Sequence, residues 1–296
     1  MELLVEDLHA GYPGHRAVSG VDLSVAAGSV VAIVGPNGCG KSTLLRSIAR
    51  LHKPDSGRVS VGGDDIWQLK PRQAAHRVGL LPQNPTAPEA VTVAGLVRYG
   101  RHPHQGLFRQ WSRADERVCR DALTATGVLD LADRRLDRLS GGQRQRCWVA
   151  MVIAQEAPVM LLDEPTSALD LGHAVEVLGL VRQVAAGGRT VLMVLHDLAS
   201  AARYADVLVA MRAGEVIASG PPKEVVDATL VRALYDVDAD ILRAPGDDTP
   251  VVVPRMVGAG AEAGAGAGAE AETGADVAAR VSADRADHAG IGPSGA

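Results

Sequence analysis

Short apolar runs alternate with amphipathic stretches through the first 245 residues of the 296-residue chain. Runs of β-type residues predict strands, and apolar residues at helical spacing predict helices. A turn is predicted at residues 11–14, where two glycines flank a tyrosine and a proline. The predicted strands are residues 3–8, 18–25, 30–34, 58–61, 78–81, 159–162, 190–195, 207–211 and 215–218. The predicted helices are residues 41–50, 113–127, 174–185 and 198–202, and residues 92–155 are expected to be mostly helical.

The order of these elements predicts the fold class. Buried strands that alternate with helices are typical of an α/β core with a mostly parallel sheet. The long helical region, at about residues 90–157, interrupts the alternation and is expected to be an inserted subdomain. No apolar run approaches the roughly 18 residues needed to cross a bilayer, so a role at a membrane would require a partner.

The sharpest motif lies between the predicted strand at residues 30–34 and the helix that follows it. Its nine residues, GPNGCGKST, match the pattern GxxxxGK[ST] in the strand–helix context that a phosphate-binding loop requires. Glycines let backbone N–H groups point at phosphate oxygens, and the helix N-terminus adds positive potential. Lys41 is expected to reach the β- and γ-phosphates, and Ser42 to offer its hydroxyl to Mg²⁺. The residues of this phosphate loop are Gly35, Pro36, Asn37, Gly38, Cys39, Gly40, Lys41, Ser42 and Thr43.

Two carboxylates, Asp163 and Glu164, follow the apolar strand at residues 159–162. Open α/β sheets bind their ligands at the carboxyl ends of the strands, where these side chains would lie. Asp163 is expected to hold Mg²⁺ directly or through water, and Glu164 to polarise an attacking water. With the phosphate loop, this pair indicates binding and hydrolysis of a nucleoside triphosphate, a chemistry that a P-loop kinase or a switch GTPase would share.

A second anion site is predicted at residues 139–143, Leu-Ser-Gly-Gly-Gln, here called the signature segment. A serine at a helix start, followed by two glycines, exposes backbone N–H groups and a hydroxyl at the positive end of the helix. One chain with two phosphate-facing surfaces and one phosphate loop suggests a head-to-tail pair of chains.

Together these motifs resemble those of the nucleotide-binding subunits of ABC transporters, over about residues 2–240. The resemblance implies a P-loop NTPase core with a mostly parallel sheet, an N-terminal antiparallel β subdomain and an inserted helical signature subdomain. It also implies a Mg²⁺-dependent ATPase of the translocase type, with ATP and Mg²⁺ as cofactors. The matching parts, in the family's order, are Tyr12, the phosphate loop, Gln83, the signature segment, Asp163 with Glu164, residues 167–170 (Ser-Ala-Leu-Asp) and His196.

The resemblance also implies a role for each of these residues. Tyr12 is similar to the aromatic residue that stacks on adenine. Gln83 looks like the residue that senses Mg²⁺ and water and links the site to the transmembrane partner. His196 looks like the histidine that binds the γ-phosphate and positions the water, so the implied catalytic residues are Glu164, His196 and Gln83. Asp170 resembles the residue that couples the two sites of the dimer.

The implied assembly is a head-to-tail homodimer in which two ATP molecules lie between the chains. ATP would favour the closed dimer, and hydrolysis would loosen it. The residues implied to hold Mg²⁺ are Ser42, Gln83 and Asp163. The residues implied to contact ATP on the opposite chain are Ser140, Gly141, Gly142 and Gln143.

Residues 98–105, RYGRHPHQ, carry the resemblance to one branch of the family, together with Trp111 and Asp115. This branch imports ferric siderophores, haem and cobalamin, and the ferric siderophore ATPases match best. It implies integral-membrane permease subunits, a place at the cytoplasmic face of the membrane and, indirectly, an extracellular or periplasmic substrate-binding protein. Residues from about 83 to 111 would lie near the groove for the permease's coupling helix. An importer of cobalamin, haem or a metal ion is the alternative, and Ser167-Ala168 stands where a bulkier pair is expected in siderophore members.

Composition excludes other classes of function. Residues 246–296 contain eight acidic and three basic residues, so the net charge of −5 lies in this segment and residues 1–245 are neutral. Nucleic acid is not an expected partner, because it selects basic surfaces and because eight aromatic residues are too few for a stacking platform. The Gly/Ala-rich acidic segment 246–296 is expected to be a disordered tail. Three widely spaced cysteines, Cys39, Cys119 and Cys147, fit a reduced, cytosolic compartment, and the acidic start of the chain predicts no signal peptide.

Other ABC proteins fit less well. Translation ATPases usually carry two such cassettes in one chain, and DNA-repair members have a long coiled coil between the phosphate loop and the signature segment. That interval is about 100 residues here. An exporter would often fuse a membrane domain, although a split exporter stays open.

Overall fold

A six-stranded sheet forms the centre of the computed structural model, which describes residues 1–106, 111–167 and 169–255. Five neighbouring strands run parallel, and the edge strand β10 is antiparallel. In spatial order the strands are β10 (Glu215–Gly220), β9 (Val207–Arg212), β3 (Val30–Val34), β8 (Thr190–Val194), β7 (Val159–Asp163) and β6 (Val78–Leu81). This arrangement confirms the predicted α/β class.

A second, antiparallel sheet of four strands is built mostly from the start of the chain. Strands β1 and β2 form a hairpin, in which Tyr12 pairs with His15 across the turn. This sheet is the expected N-terminal β subdomain. In spatial order its strands are β2 (His15–Val25), β1 (Leu3–Tyr12), β4 (Ser56–Val61) and β5 (Asp64–Asp65).

Three helices fall within the helical region predicted at residues 90–157. They are α3 (Val93–Tyr99), α4 (Arg113–Ala125) and α5 (Gly141–Ala154), joined by single 3₁₀ turns at His102–His104, Leu129–Leu131 and Leu136–Arg138. The other helices are α1 (Lys41–Ile48), α2 (Pro71–Ala75), α6 (Leu171–Ala186), α7 (Leu198–Tyr204), α8 (Pro222–Val225) and α9 (Ala228–Tyr235). Among the residues described, no helix combines the length and the apolar character needed to cross a membrane.

The core lies on both faces of the central sheet. Successive side chains of a strand point to opposite faces, and β3 shows this directly. Val30, Ala32 and Val34 belong to one hydrophobic cluster, whereas Val31 and Ile33 belong to the other. Because every residue of β3, β7 and β8 is buried, these strands are apolar almost throughout rather than alternating.

One buried cation holds the helical subdomain together. Arg101 is 4% exposed. Its Nε lies 3.0 Å from Asp115 Oδ1 in α4, and its Nη1 donates to the carbonyl of Ala154 in α5 (2.8 Å) and to Glu156 (2.6 Å). Arg101 therefore joins the residues after α3 to both other helices of the subdomain.

Two predicted boundaries differ from the structure. Helix α1 ends at Ile48, not at residue 50, because Arg50 has a φ of 61°, which no helix accommodates. Residues 250–254, predicted to belong to a disordered tail, instead form strand β12 (Pro250–Pro254), which pairs with β11 (Ala239–Arg243) as a hairpin within a unit that ends at Arg255. Val252 packs on the core, which the change of composition near residue 245 did not indicate. The rest of the predicted tail, residues 256–296, lies outside the described residues, as do residues 107–110 and Ala168.

Candidate functional site

Four parallel strands end at the same edge of the central sheet, and the segments that follow them carry the predicted site residues. The phosphate loop follows β3, His196 follows β8, and Gln83 follows β6. Asp163 ends β7, and Glu164 comes directly after it. These four strands are direct neighbours in the sheet. The topology therefore brings together side chains that are far apart in the sequence.

The phosphate loop is fixed from both sides by backbone that leaves no room for a Cβ. A Cβ at Gly35 would lie 2.0 Å from the carbonyl oxygen of Met211, and a Cβ at Gly40 would lie 2.1 Å from that of Ala17. Gly40, with a φ of 103°, is the residue directly before α1. The tight turn requires glycine here, and it aims the first N–H groups of α1 at the space above the loop.

Lys41 is 5% exposed, and its ammonium lies within its own loop. Its Nζ donates to the carbonyls of Gly35 and Pro36, both at 2.8 Å. Cys39 is also buried, with its Sγ 3.8 Å from Lys41 Nζ. The loop therefore places a cation beside N–H groups at a helix N-terminus, which is an arrangement suited to phosphate.

Ser42 and Asp163 meet between α1 and β7. Ser42 Oγ donates to Asp163 Oδ1 over 3.0 Å, and Asp163 is 2% exposed. Burial raises the pKa of Asp163, against the hydrogen bond from Ser42 and the charges of Arg46 and Lys41. A hydroxyl and a buried carboxylate are oxygen ligands of the kind that Mg²⁺ takes beside substrate phosphates, so these residues fit that ion.

Two side chains contact the same carboxylate oxygen of Glu164. Its Oε2 accepts a hydrogen bond of 2.5 Å from Gln83 Nε2, and His196 Nε2 lies 2.5 Å from the same atom. Glu164 is 7% exposed, whereas the His196 side chain is 48% exposed. The carboxylate is thus oriented by the residues that follow β6 and β8.

The backbone of Glu164 is in the left-handed region, with a φ of 55°. A residue other than glycine adopts this backbone conformation at a cost in free energy, and it persists there only where its surroundings hold it. Here the N–H of Glu164 bonds to the carbonyl of Val194, and its own carbonyl accepts from the N–H (3.2 Å) and Oγ (3.0 Å) of Ser167. This turn directs consecutive side chains, Asp163 and Glu164, to different partners.

These residues line one open cavity of about 640 Å³. Its lining includes ten of the predicted site residues, namely Tyr12, Asn37, Gly38, Gly40, Lys41, Ser42, Thr43, Gln83, Glu164 and His196. Tyr12 is 44% exposed at the tip of the β1–β2 hairpin, and its ring lies 4.7 Å from that of His52. Of the predicted residues outside this lining, Asp163, Gly35, Pro36 and Cys39 lie beside it within the same strand end and loop.

Two further residues, His15 and Ala17, also line the cavity and were missed by sequence reasoning. The strand there is predicted to begin at residue 18, whereas β2 begins at His15. The signal that could have identified them is the tight turn at Pro13 and Gly14, which places His15 directly opposite Tyr12.

The signature segment does not line this cavity. Ser140 caps α5, since its Oγ accepts from the N–H of Gln143 and the Gln143 side chain accepts from the N–H of Ser140, both at 3.2 Å. Ser140 and Gly141 are exposed, and Gly142 is buried. The structure therefore shows a solvent-facing helix start that is separate from the phosphate loop of the same chain.

Burial disfavours the thiolate form of two of the three cysteines, Cys119 and Cys147. All three are buried, and burial raises the pKa of Cys119 to about 11 and that of Cys147 to about 12. Thiols with such pKa values are protonated at neutral pH and unreactive. Among the described residues, no cluster of three or more His, Cys, Asp or Glu side chains could hold a metal ion.

Comparison with known proteins agrees with this geometry. Residues 18–167 match the ABC transporter family. The chain is 46% identical over 250 residues to the ferric enterobactin transport ATP-binding protein FepC of Escherichia coli, across 84% of this chain and 92% of that protein. It is 40% identical over 255 residues to a cobalamin import ATP-binding protein of Halobacterium salinarum, across 86% of this chain and 64% of that protein.

The fold is shared with a solved structure of a metal-chelate type ABC transporter in an inward-facing conformation. The two superpose with a TM-score of 0.75 and 29% identity, over 86% of this chain and 97% of that one. The region that matches the ABC transporter family, residues 18–167, includes the phosphate loop, the signature segment and the acidic end of β7. The chain belongs to the ABC transporter family, as one of its ATP-hydrolysing, ATP-binding subunits.

Proposed function

We propose that this chain hydrolyses ATP with Mg²⁺ at the cavity described above and thereby energises a membrane importer of ferric siderophores. One observation carries the catalytic part: Glu164 is buried at the cavity wall and shares Oε2 with Gln83 and His196. A carboxylate held in this way beside a phosphate-binding loop is suited to accept a proton from water.

ATP enters the cavity with its phosphates on the loop and its base at the β1–β2 hairpin. Lys41 and the N-terminal N–H groups of α1 receive the β- and γ-phosphates. Tyr12, half exposed at the hairpin tip, offers its ring to adenine, backed by His52. Ser42, Asp163 and Gln83 supply the oxygens that would hold Mg²⁺, which neutralises phosphate charge when it is bound.

Glu164 acts as the general base for hydrolysis. It accepts one proton from a water molecule as the water oxygen bonds to the γ-phosphorus, and the bond from that phosphorus to the β–γ bridging oxygen breaks. His196 and Gln83 orient the carboxylate, and His196, being the more exposed, also reaches the γ-phosphate. ADP and inorganic phosphate are the products.

The active assembly is a head-to-tail homodimer. The support is the separation of the two predicted phosphate-facing surfaces: Ser140, Gly141, Gly142 and Gln143 lie at the start of α5 and outside the cavity of their own chain. In the dimer they face ATP held by the partner's phosphate loop. ATP then stabilises the closed pair because it contacts both chains.

The permease docks on an apolar groove beside Gln83. This groove, of about 430 Å³, joins the segment after β6 to helices α3 and α5. Tyr99 on its rim is 50% exposed. The chain would thus lie peripherally at the cytoplasmic face of the membrane, with an extracellular or periplasmic binding protein delivering the cargo. The residues lining the groove are Pro82, Asn84, Pro85, Thr86, Ala87, Pro88, Leu96, Tyr99, Trp148 and Met151.

The cargo is assigned from the relatives. Ferric siderophores are favoured because the ferric enterobactin protein is more similar over nearly its whole length than the cobalamin protein is. The structural neighbour of metal-chelate type is compatible with this assignment. Cobalamin is the second candidate, because its relative is still 40% identical.

Phosphate release from ATP by the purified full-length chain tests the catalytic part. We expect Mg²⁺-dependent release that falls by about 10²–10³-fold in Glu164→Gln, which keeps the shape but removes the base. Nucleotide binding to Glu164→Gln should stay, and Glu215→Gln, on the exposed strand β10, is the matched control. Equal rates in Glu164→Gln and the unsubstituted chain would contradict the assignment.

A further inference from the structure

The signature helix α5 rests on the start of α6 through one close contact. A Cβ at Gly142 would lie 2.6 Å from Cδ2 and 2.7 Å from Cγ of His173. The imidazole of His173 therefore occupies the space that any larger residue at position 142 would need. Gly142 is buried under this ring, so the N-terminal turn of α5 cannot move towards α6 without displacing His173.

The same imidazole is bound to Asp170. His173 Nδ1 lies 2.8 Å from Asp170 Oδ1, and the N–H of His173 donates to that oxygen over 2.9 Å. These hydrogen bonds to His173 are the main reason that the pKa of Asp170 is lowered, so Asp170 is ionised at neutral pH and can only accept. The proton of the side-chain bond is therefore on His173 Nδ1.

We propose that His173 is a positioning residue that couples the signature segment to Asp170 within one chain. Its ring contacts Gly142 on one side and holds the Asp170 carboxylate on the other. A shift of the signature segment, when it engages ATP of the partner chain, therefore reaches Asp170 through a single side chain. This inference rests on the proposed head-to-tail dimer and on the coupling role that the family resemblance implies for Asp170, and it makes His173 the link by which one ATP site affects the other.

A second contact between the same helices provides a control. One turn further along α5, Arg146 pairs with Glu176 of α6. This ion pair lies on the same contact between α5 and α6 as Gly142 and His173, here called the seam, but it includes neither Asp170 nor a residue of the signature segment. Loss of the pair should loosen the seam without breaking the proposed link.

The test measures ATP hydrolysis by the full-length chain against ATP concentration for His173→Ala, His173→Asn and Glu176→Gln. Binding of a fluorescent ATP analogue at dilutions that keep the chain monomeric, and thermal unfolding, accompany each variant. We expect His173→Ala to lower kcat about tenfold and to bring the Hill coefficient towards one, with monomer binding unchanged. His173→Asn should recover most of kcat, because its amide donor replaces Nδ1–H, and Glu176→Gln should match the unsubstituted chain.

Three results would overturn the inference: an unchanged kcat and Hill coefficient in His173→Ala, no recovery in His173→Asn, or an equal loss in Glu176→Gln. The last would show that the seam matters only for stability. If the unsubstituted chain does not hydrolyse ATP, the proposed function fails and this inference fails with it. Normal cooperative hydrolysis by the unsubstituted chain and by His173→Ala would overturn this inference alone.

Discussion

The hydroxyl of Ser42 lies 3.0 Å from Asp163 Oδ1, although 121 positions separate the two residues in the sequence. Ser42 is the second residue of helix α1 and Asp163 ends strand β7, so this hydrogen bond joins the phosphate loop to the acidic strand end. The two motifs therefore form a single site. This is why a divalent cation that rides on phosphate could reach a buried carboxylate without any rearrangement of the sheet.

Removal of the Lys41 ammonium should weaken nucleotide binding. Its Nζ is already held at the phosphate loop by two carbonyls, so Lys41→Ala deletes a positioned charge and not a mobile one. A charge-assisted contact contributes about 1.5–3 kcal/mol, so we expect ATP affinity to fall by about 10- to 100-fold in equilibrium binding. Lys53→Ala, an exposed lysine, is the control and should bind as the unsubstituted chain does. Similar affinities for the two variants would contradict the account.

Two glycines of the phosphate loop should respond differently to alanine. Both Gly38 and Gly40 have positive φ, but nothing lies within 4 Å of a Cβ at Gly38, whereas the carbonyl oxygen of Ala17 lies 2.1 Å from one at Gly40. We expect Gly38→Ala to reduce the free energy of unfolding by about 1 kcal/mol and Gly40→Ala by about 3 kcal/mol. Denaturant unfolding of both variants measures the difference, and equal losses would show that backbone strain alone matters.

Arg101→Ala should destabilise the protein strongly. The substitution leaves Asp115, 1% exposed, as a buried charge without its partner. Breaking a buried pair in this way typically costs about 3–5 kcal/mol. Arg98→Ala breaks the exposed pair with Glu116 and should cost less than about 1 kcal/mol. Unfolding in urea measures both losses, and equal free energies of unfolding for the two variants would contradict this explanation.

The cost of Arg101→Ala should also depend on pH. Burial acts to raise the pKa of Asp115, but hydrogen bonds from Ser112 and Arg101 outweigh it, so the net pKa is lowered. An acid with a lowered folded-state pKa contributes stability above its unfolded pKa of about 3.9 and loses it as the pH falls through the folded value. The free energy of unfolding of the unsubstituted chain should therefore exceed that of Arg101→Ala by the largest amount at neutral pH. This difference should shrink below about pH 4. A difference that grows towards acid pH would contradict the ion-pair explanation.

A charge on the rim of the apolar groove should prevent permease docking. Tyr99→Glu places a carboxylate where an apolar partner surface would bury it, which is costly without a paired cation. We expect loss of co-purification with the permease subunits and of transport, while ATP binding stays. Leu242→Glu, at an exposed apolar residue of β11, is the control for an added surface charge. Normal co-purification of Tyr99→Glu would rule out this groove as the docking site.

Much of the fold could be predicted because buried parallel strands are continuous apolar runs. The strand at residues 30–34 was predicted at its observed bounds for this reason. Strand β12 was missed, since its three valines lie between two prolines in a segment where the composition was already changing. Its burial depends on contacts with distant core residues, which local composition does not reveal.

The spatial arrangement of the site residues was harder to predict than the motifs that carry them. The phosphate loop and the acidic strand end are local patterns, so their chemistry follows from adjacent residues. The meeting of Gln83 and His196 at Glu164 depends on strand order in the sheet, which differs from chain order, and only the family resemblance indicated it. The packing of His173 on Gly142 had no sequence signal, because it depends on how two helices approach each other.

The most direct test is uptake of radioactive iron bound to a siderophore by cells that lack this chain and any redundant ATPase. The cells are complemented with the unsubstituted chain or with Glu164→Gln. We expect the deletion to stop uptake and the unsubstituted chain to restore it. Glu164→Gln should not restore uptake, although that variant still binds ATP. Normal iron uptake by the deletion strain would contradict the siderophore assignment, and uptake restored by Glu164→Gln would contradict the catalytic role of Glu164.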